Sequence, residues 1–503
     1  MKKNQPLLYA ILIVIGIFIG GEKNFSNNSD DSKLNNIIQM IHEHYVDSLD
    51  HGQLQHDAIN SILSELDPHS SYISKKDFKS VEEDMQGSFS GIGVEFNIIK
   101  DTIVVISPIS GGPSEKLGIQ SGDRITHVEE EEVANTGIKN RDVIKLLRGE
   151  RGSLVNIRIK RKGENQLIKF AIIRDNIPLY SVDAGIMLHD DIGYIKINRF
   201  AATTYKEMKK KTEALKAKGM KKLILDFRNN PGGYLHIANQ ICDEFLKSGE
   251  LIVFTEGRNR RKQEAFATAE GSLEDVKVIA LINEGSASAS EIVAGALQDN
   301  DRGLIIGRRS FGKGLVQEQI ILNDGDAIRL TTQRYYTPSG RCIQKDYGTN
   351  NTDYYLEQYT RNESKANGDS LKYTTKNGRI VYGGGGITPD ITIEIDSNTS
   401  YLQINTIIRN GWINQFGFEK SELLKKNNIS NYKEINMTTI YNDFLIYLER
   451  KNYTSSVEFK KPELKYLENL LLATIARNLL GNDAYYQVLS IEDEYIQTAI
   501  NNF

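Results

Sequence analysis

One serine of this chain lies where a hydroxyl could act as a nucleophile. Ser288 stands in "GSASASEI" (285–292), a stretch of small residues between an apolar strand-like segment and a helical one. The free N–H groups at the start of a helix favour negative charge, so a serine displayed there suits attack on a carbonyl. Ser288 and Glu291 also match the S-x-x-E capping box, and simple capping of the helix is the alternative interpretation.

A nucleophilic serine needs a base, and a lysine whose pKa is lowered by burial can serve. Lys313 in "SFGKG" is flanked by Gly312 and Gly314, which allow close approach. The stretch from Gly307 to Lys313 also matches the G-x-x-x-x-G-K spacing of a nucleotide-binding P-loop. However, Gly314 replaces the magnesium-binding Ser or Thr, and the following "LVQEQIIL" alternates like a strand. Nucleotide binding is therefore the weaker hypothesis.

The segment "DFRNNPGG" (226–233) predicts a sharp turn after a second apolar strand. It can be no more than a tight turn. It can also direct the backbone N–H of Gly232 or Gly233 at a developing oxyanion, with the N–H of Ala289 as second donor. The sequence leaves both interpretations open.

The segments that carry these turns alternate between strand-like and helical patterns. The apolar runs "KKLILDF", "VKVIALIN" and "GLIIG" are typical of strands buried on both faces. Their alternation with helices predicts an α/β core with parallel pairing. A β-rich, glycine-rich block precedes this core, and helical spacing occurs before that block and after about residue 396. We therefore predict a multidomain α/β protein.

Composition excludes several classes of function. The net charge of -4 and the lack of a strongly basic domain argue against a nucleic-acid partner. The two cysteines are too few for a disulfide framework, and the eight scattered histidines show no metal-ligand spacing. No metal, nucleotide or organic cofactor is predicted.

The N-terminus predicts export. Lys2 and Lys3 precede an uncharged apolar run at 6–21, and acidic residues follow it at 30–31. An uncleaved signal anchor is the first interpretation, a cleaved signal peptide the second, and a buried soluble helix the third. The catalytic part is then expected in the cell envelope, anchored to the inner membrane on the periplasmic side.

Eight motifs in order resemble those of the C-terminal (tail-specific) processing peptidases, which are S41-type serine proteases with a Ser/Lys dyad. They lie between about residues 35 and 395 and are "LDPHSSY", "GSFSGIGVEF", "GPSEKLGIQSGDRI", "LDFRNNPGG", "GSASASEIVAGALQDN", "SFGKGLVQ", "RYYTPSGRCIQ" and "GITPDI". Any single motif is weak, but their combination and order are specific. The resemblance implies a crotonase-like protease core.

The resemblance also assigns roles to residues of this sequence. It implies that Ser288 is the nucleophile, Lys313 the base and Gln317 a residue that orients the lysine. It implies further that residues 87–175 form a PDZ domain whose turn "SGIGV" binds a peptide C-terminal carboxylate. That turn contains Gly91, Ile92 and Gly93.

Together these observations predict a serine endopeptidase that captures the C-terminal tails of unfolded or envelope proteins. A catalytically inactive PDZ scaffold is the alternative. An adaptor protein or a second copy of the chain is left open as a further partner. Arg148, in a PDZ region that contacts the protease core in some relatives, suggests a substrate-gated switch. The expected divisions are 1–21 (anchor), 22–86 (helical), 87–175 (PDZ), 178–395 (protease core) and 396–503 (helical extension).

Overall fold

A computed structural model describes residues 31–348, 350–360, 371–394, 401–453 and 459–503. The predicted anchor at 1–21 lies outside the described residues. Within these ranges, no helix combines the length and the apolar character needed to cross a membrane. The chain divides into two compact units, and the first consists of residues up to 73 together with 319–330.

The first unit is small and mostly helical. Its elements are α1 (Asp31–His44), α2 (His51–Ser64) and β1 (Ser71–Ile73). Asp50 caps α2, because its carboxylate accepts the N–H groups of Gly52 and Gln53. Strand β1 pairs antiparallel with residues 327–329.

The second unit begins with α3 (Lys75–Gln86), which ends at Gly87 in the left-handed conformation (φ 74°) that favours glycine. A β-rich domain follows. Its elements are β2 (Ser88–Gly91), β3 (Val94–Ile98), β4 (Ile103–Pro108), α4 (Pro113–Lys116), β5 (Arg124–Val128), β6 (Glu131–Glu132), α5 (Asn140–Leu147), β7 (Leu154–Lys160), β8 (Ile168–Ile173) and β9 (Asp175–Pro178). The main sheet has the order β3-β4-β5-β7-β8, so β3 stands at one edge. The predicted β-rich domain is confirmed.

The α/β core has the parallel pairing that its apolar runs predict. Its elements are β10 (Val182–Met187), β11 (Ile192–Ile197), α6 (Thr204–Ala217), β12 (Lys222–Asp226), α7 (Leu235–Asp243), β13 (Leu251–Gly257), β14 (Arg260–Phe266), β15 (Lys277–Ile282), α8 (Ala289–Asp299), β16 (Gly303–Gly307), β17 (Leu315–Ile321), β18 (Ala327–Tyr336), α9 (Asn351–Thr360), β19 (Lys372–Thr374), β20 (Ile380–Tyr382) and β21 (Ile391–Thr392). The central sheet has the order β10-β11-β12-β15-β16-β21. All its neighbouring strands pair parallel except β10 with β11. The carboxyl ends of β12, β15 and β16 therefore meet at one edge of the sheet.

The helical extension predicted after residue 396 is confirmed. Its α-helices are α10 (Leu402–Arg409), α11 (Trp412–Leu424), α12 (Met437–Arg450), α13 (Lys461–Leu480), α14 (Asn482–Leu489) and α15 (Glu494–Asn501), with 3₁₀ turns at Lys425–Asn427 and Tyr432–Glu434. Phe416, Phe444 and Leu467 belong to the core of its bundle. The last helix, α15, packs against the α/β core instead of the bundle, because Ile496 and Ala499 are buried in one cluster with residues of the central sheet. The end of the extension thus covers part of the central sheet of the α/β core.

Candidate active site

Ser288 occupies the turn between β15 and α8 in a strained conformation. Its φ of 54° and ψ of -114° are unusual for a residue with a side chain, and such strain typically costs about 1–3 kcal/mol. Ser288 is partly exposed, whereas Ala287 and Ala289 on either side are buried. The Ser288 hydroxyl makes no capping hydrogen bond. The Glu291 N–H bonds instead to the backbone carbonyl of Ser288 at 2.8 Å.

The two neighbouring serines, Ser286 and Ser290, donate hydrogen bonds to backbone carbonyls. Ser286 and Ser290 are fully buried. The Ser286 hydroxyl donates to the carbonyl of Phe227 at 2.8 Å, and that of Ser290 donates to the carbonyl of Asn230 at 3.0 Å. Both bonds join this turn to the turn after β12. Of the three serines in "SASAS", Ser288 is the one exposed in the turn.

Glu291 joins the turn of Ser288 to the loop of Lys313. One oxygen of its fully buried carboxylate accepts from the Ser310 hydroxyl (2.5 Å) and the Gly312 N–H (2.7 Å). The other oxygen accepts from the Ser288 N–H (2.7 Å) and the Lys313 N–H (2.9 Å). Burial raises the pKa of Glu291, and these hydrogen bonds oppose the rise without reversing it. A residue that the sequence assigned to capping therefore joins both candidate catalytic loops.

Lys313 is partly buried in the loop between β16 and β17. Its Nζ donates to Gln317 Oε1 at 2.8 Å, so the structure brings these two predicted residues together. Both glycines that flank Lys313 are required, Gly314 by its close packing and Gly312 by its backbone conformation. A Cβ on Gly314 would lie 2.7 Å from the Gln344 backbone nitrogen, and Gly312 has a φ of +90°.

The P-loop alternative does not fit this geometry. Lys313 is followed by strand β17 rather than by a helix. The N–H groups of Gly312 and Lys313, which a P-loop would direct at phosphate, donate to Glu291. Among the described residues, no group of three His, Cys, Asp or Glu side chains could hold a metal ion.

The turn after β12 lies directly against Ser288. A Cβ built on Gly232 would lie 2.8 Å from the Ser288 Cβ and 2.9 Å from the Ala289 nitrogen. The N–H of Gly232 donates to the Asn230 side chain at 2.9 Å. Ala289 is the first residue of α8, where N–H groups have no acceptor within the helix. The structure thus brings Gly232 and Ala289 together beside Ser288, and it gives the Gly232 N–H a partner that the sequence did not reveal.

Two asparagines, Asn229 and Asn283, connect the turn after β12 to the turn after β15 by hydrogen bonds. The Asn229 N–H donates to Asn283 Oδ1 at 2.8 Å, and the Asn283 amide donates to Asn229 Oδ1 at 2.9 Å. Asn283 follows β15 immediately, and its own N–H donates to the Ser286 hydroxyl at 2.9 Å. Asparagines in turns are too common for the sequence to have identified this link.

Behind the turn lies a buried charge cluster that sequence analysis missed. Asp226 ends β12 and is fully buried. Its oxygens accept from the Tyr194 hydroxyl (2.8 Å), Lys196 Nζ (3.1 Å) and the Arg228 guanidinium (2.6 Å). Burial alone would raise the pKa of Asp226, but the charges of Arg228 and Lys196 outweigh it and hold the pKa well below the ordinary range.

The turn predicted to bind a peptide carboxylate lies between β2 and β3, and β3 is an edge strand of the β-rich sheet. Gly91 ends β2, and Gly93 has a φ of +76°. Ile92 is buried, and its carbonyl accepts from both the N–H (3.1 Å) and the hydroxyl (2.6 Å) of Ser114. These two hydrogen bonds tie the turn to Ser114 of α4.

Arg148 contacts the helix that precedes this domain. Its guanidinium lies 3.3 Å from the Glu83 carboxylate of α3 and 3.9 Å from the centre of the Phe89 ring. Arg148 also forms an isolated antiparallel bridge with Gly91. Arg148 thereby connects the turn at Gly91 to α3.

Comparison with known proteins identifies both domains. Residues 191–354 match the model of peptidase family S41, and residues 90–172 match that of the PDZ domain. The chain is 37% identical over 342 residues to a carboxy-terminal-processing protease of Bartonella bacilliformis, covering 67% of this chain and 78% of that protein. It is 34% identical to the carboxy-terminal processing protease CtpA of Bacillus subtilis, covering 69% of this chain and 76% of that protein. Among solved structures, a photosystem II D1 C-terminal processing protease is 25% identical, with a TM-score of 0.37 and coverage of 73% and 88%.

We predict that Gly232→Ala impairs hydrolysis much more than a matched glycine substitution. The new Cβ would lie 2.7 Å from the Ala287 carbonyl and press on Ser288, and misplacement by about 1 Å can cost about 100-fold in rate. The control is Gly249→Ala, where φ is similarly positive (+86°) but no atom lies within 4 Å. Measuring kcat/KM and thermal unfolding for both variants checks this. Equal effects on activity would contradict it.

The lowered pKa of Asp226 makes stability depend on pH in a defined direction. Its ionised form is stabilised by folding, so its contribution is full above the ordinary carboxyl pKa of 3.8 and is lost as the pH falls from that value toward the lower pKa of the folded protein. Asp226→Asn should cost about 3–5 kcal/mol at pH 7, because it leaves buried cations without their partner. The cost should shrink toward pH 3. Urea unfolding at pH 7 and pH 3 measures this, with the exposed Asp190→Asn as control. A cost independent of pH would count against the assignment.

Proposed function

Because the chain belongs to the carboxy-terminal processing proteases of peptidase family S41, we propose that Ser288 and Lys313 perform its peptide-bond hydrolysis. The Ser288 oxygen attacks the scissile carbonyl carbon while the neutral amine of Lys313 takes the hydroxyl proton. The tetrahedral intermediate collapses to an acyl-enzyme, and Lys313 gives that proton to the leaving amine. Water, activated by Lys313, then releases the acyl group and restores the serine.

The observation that carries this proposal is the shared carboxylate oxygen of Glu291. It accepts the backbone N–H groups of both Ser288 and Lys313, so the nucleophile and the base are held on loops with a common anchor. Gln317 supports the assignment of the base, because its Oε1 accepts from the lysine Nζ and can direct it. The strained backbone of Ser288 is typical of residues whose orientation serves function.

The oxyanion is held by the Ala289 N–H together with a backbone N–H of the glycine pair. Gly232 lies against Ser288, but its N–H already donates to Asn230, so Gly233 is the alternative donor. Gly232 would need to exchange that partner for the oxyanion. Losing one such donor typically costs about 3–4 kcal/mol of barrier.

The PDZ domain captures the C-terminal tail of a protein substrate. The N–H groups around Gly91, Ile92 and Gly93 receive the terminal carboxylate, and the tail adds as a strand to β3. Two observations support this role: β3 stands at the edge of its sheet, and Ile92 is fixed by Ser114. The proposed division is 22–86, 87–175, 178–395 and 396–503, with an adaptor or a second copy as a further partner.

Residues 1–21 anchor the chain in the inner membrane, with the catalytic part on the periplasmic side. The support is the order of two lysines, an uncharged apolar run and acidic residues. Fractionation of cells that express the full chain or residues 22–503 tests this. An equal distribution of both proteins between membrane and soluble fractions would refute the anchor.

Removing either member of the dyad should abolish turnover without unfolding the chain. We expect Ser288→Ala to reduce cleavage of an unfolded protein to background, and Lys313→Ala to lower kcat about 10²–10⁴-fold. Ser248→Ala and Lys218→Ala, both exposed, are the matched controls. A fluorophosphonate probe should label the wild type and not Ser288→Ala. Turnover that survives in Ser288→Ala would refute the dyad, and an inactive, unlabelled wild type that still binds tails would indicate a scaffold.

The same assay has a second arm that tests tail capture. Amidation of the substrate C-terminus removes the charge that the PDZ turn receives, so KM should rise while kcat changes little. The control substrate keeps a free carboxylate and carries the amide on an internal glutamate. Equal KM values for the two substrates would refute carboxylate capture.

A further inference from the structure

The last helix of the extension contacts the active-site turns from behind. Asp493 is the N-cap of α15, and its Oδ1 accepts the N–H groups of Tyr495 (3.0 Å) and Ile496 (3.3 Å). These bonds fix the carboxylate at the helix start. Ile496 and Ala499 in turn bury α15 against the central sheet. Asp493 is thus presented from a firmly packed element.

Asp493 forms a two-pronged ion pair with Arg228. The Nη1 atom of Arg228 donates to Oδ1 at 3.0 Å, and Nη2 lies 2.8 Å from Oδ2. The same guanidinium binds Asp226, with Nη2 to Oδ2 at 2.6 Å. The Arg228 side chain is only 17% exposed, so these bonds are shielded from competing water. Arg228 directly precedes Asn229 in the turn that ends in Gly232.

Tyr495 contacts the arginines that follow two of the three converging strands. Its ring centre lies 4.6 Å from the Arg228 guanidinium carbon and 5.6 Å from that of Arg308. A Cβ on Gly307 would lie 2.8 Å from the Tyr495 ring. Arg308 in turn pairs with Glu284, two residues before Ser286, at 2.8 Å.

The cations and anions of this region balance one another. Lys196, Arg228 and Arg308 pair with Asp226, Asp493 and Glu284. All of these residues except Glu284 line a cavity of about 300 Å³. Where charges are shielded from solvent, removing one partner frees the other to move or to attract water. Without Asp493, the guanidinium of Arg228 would lose its ion pair with α15 and would keep the Tyr495 ring and its bonds to Asp226, two residues away on the same turn.

We infer that Asp493 and Tyr495 are positioning residues for peptide-bond hydrolysis. Through Arg228 they fix the turn that carries Gly232 and Gly233, and through Arg308 they brace the chain leading to Lys313. This inference rests on the proposed function of Ser288 and Lys313. It gives the C-terminal end of the extension a part in catalysis, separate from tail capture by the PDZ domain.

The test compares Asp493→Asn with Glu494→Gln in the full chain. Both remove one negative charge at the start of α15, but Glu494 is exposed. We expect Asp493→Asn to lower kcat at least about tenfold and to slow fluorophosphonate labelling of Ser288, with KM within about twofold. Glu494→Gln should leave all three unchanged. Asp493→Glu, which restores the charge, should recover part of kcat.

A second pair of variants tests whether the aromatic ring of Tyr495 is needed for activity and not only for stability. Tyr495→Phe keeps the aromatic face over both guanidinium groups and should retain activity, whereas Tyr495→Leu should lower kcat. Thermal unfolding is measured for every variant, and assays are run well below each midpoint.

Two results would overturn the inference. The first is an unchanged kcat in folded Asp493→Asn, and the second is a loss of kcat that disappears once the assay temperature is lowered, which indicates a stability effect only. If the wild type itself neither cleaves nor labels, the proposed function fails and the inference fails with it. Normal wild-type activity with a fully active Asp493→Asn refutes the inference alone.

Discussion

The proposed active site depends on one buried carboxylate. Glu291 has no exposed surface, yet it accepts four hydrogen bonds, and two of them come from the backbones of Ser288 and Lys313. A buried carboxylate is costly unless its lone pairs are satisfied, so the four donors cannot move apart without a penalty. The relative position of the two loops is thereby set by hydrogen bonds from their backbones, and none of these four bonds uses the side chain of Ser288 or Lys313.

The parallel sheet brings the donors to that carboxylate. Strands β12, β15 and β16 are neighbours, so the turns that follow them emerge at the same edge. Space at this edge is scarce, and the residues that crowd around Ser288 are small: Gly232, Ala287 and Ala289. A single Cβ on Gly232 would already contact Ser288, and one on Gly314 would contact Gln344. Hydrogen bonds through Asn229 and Asn283 then replace the side-chain packing that larger residues would supply.

The other domains attach to this centre in different ways. The PDZ domain has β3 at the edge of its sheet, and Arg148 links its turn to α3 through Glu83. The helical extension has a hydrophobic core of its own, but its last helix, α15, packs against the central sheet. The chain therefore combines a domain that can act as a capture module with a terminal helix that is built into the catalytic core.

The sequence by itself determined the class of fold and the candidate chemistry. Apolar runs predicted parallel strands, small residues predicted crowded turns, and ordered motifs indicated Ser288, Lys313 and Gln317. The strand and turn predictions are local, because each depends on residues that are close in sequence. The assignment of Ser288, Lys313 and Gln317 depended instead on the order of eight motifs between about residues 35 and 395.

Only the tertiary structure decided how these parts meet. It showed which serine of "SASAS" is exposed, since Ser286 and Ser290 donate to carbonyls some 60 positions away. It showed that Glu291, which accepts the Ser288 N–H as the capping box predicts, also accepts the Lys313 N–H and so anchors both loops. It also showed that the Gly232 N–H donates to Asn230. It also joined Arg228 to Asp493 across 265 positions. Hydrogen bonds and ion pairs of this kind leave no periodic pattern, because their partners are chosen by the packing of distant elements rather than by local spacing.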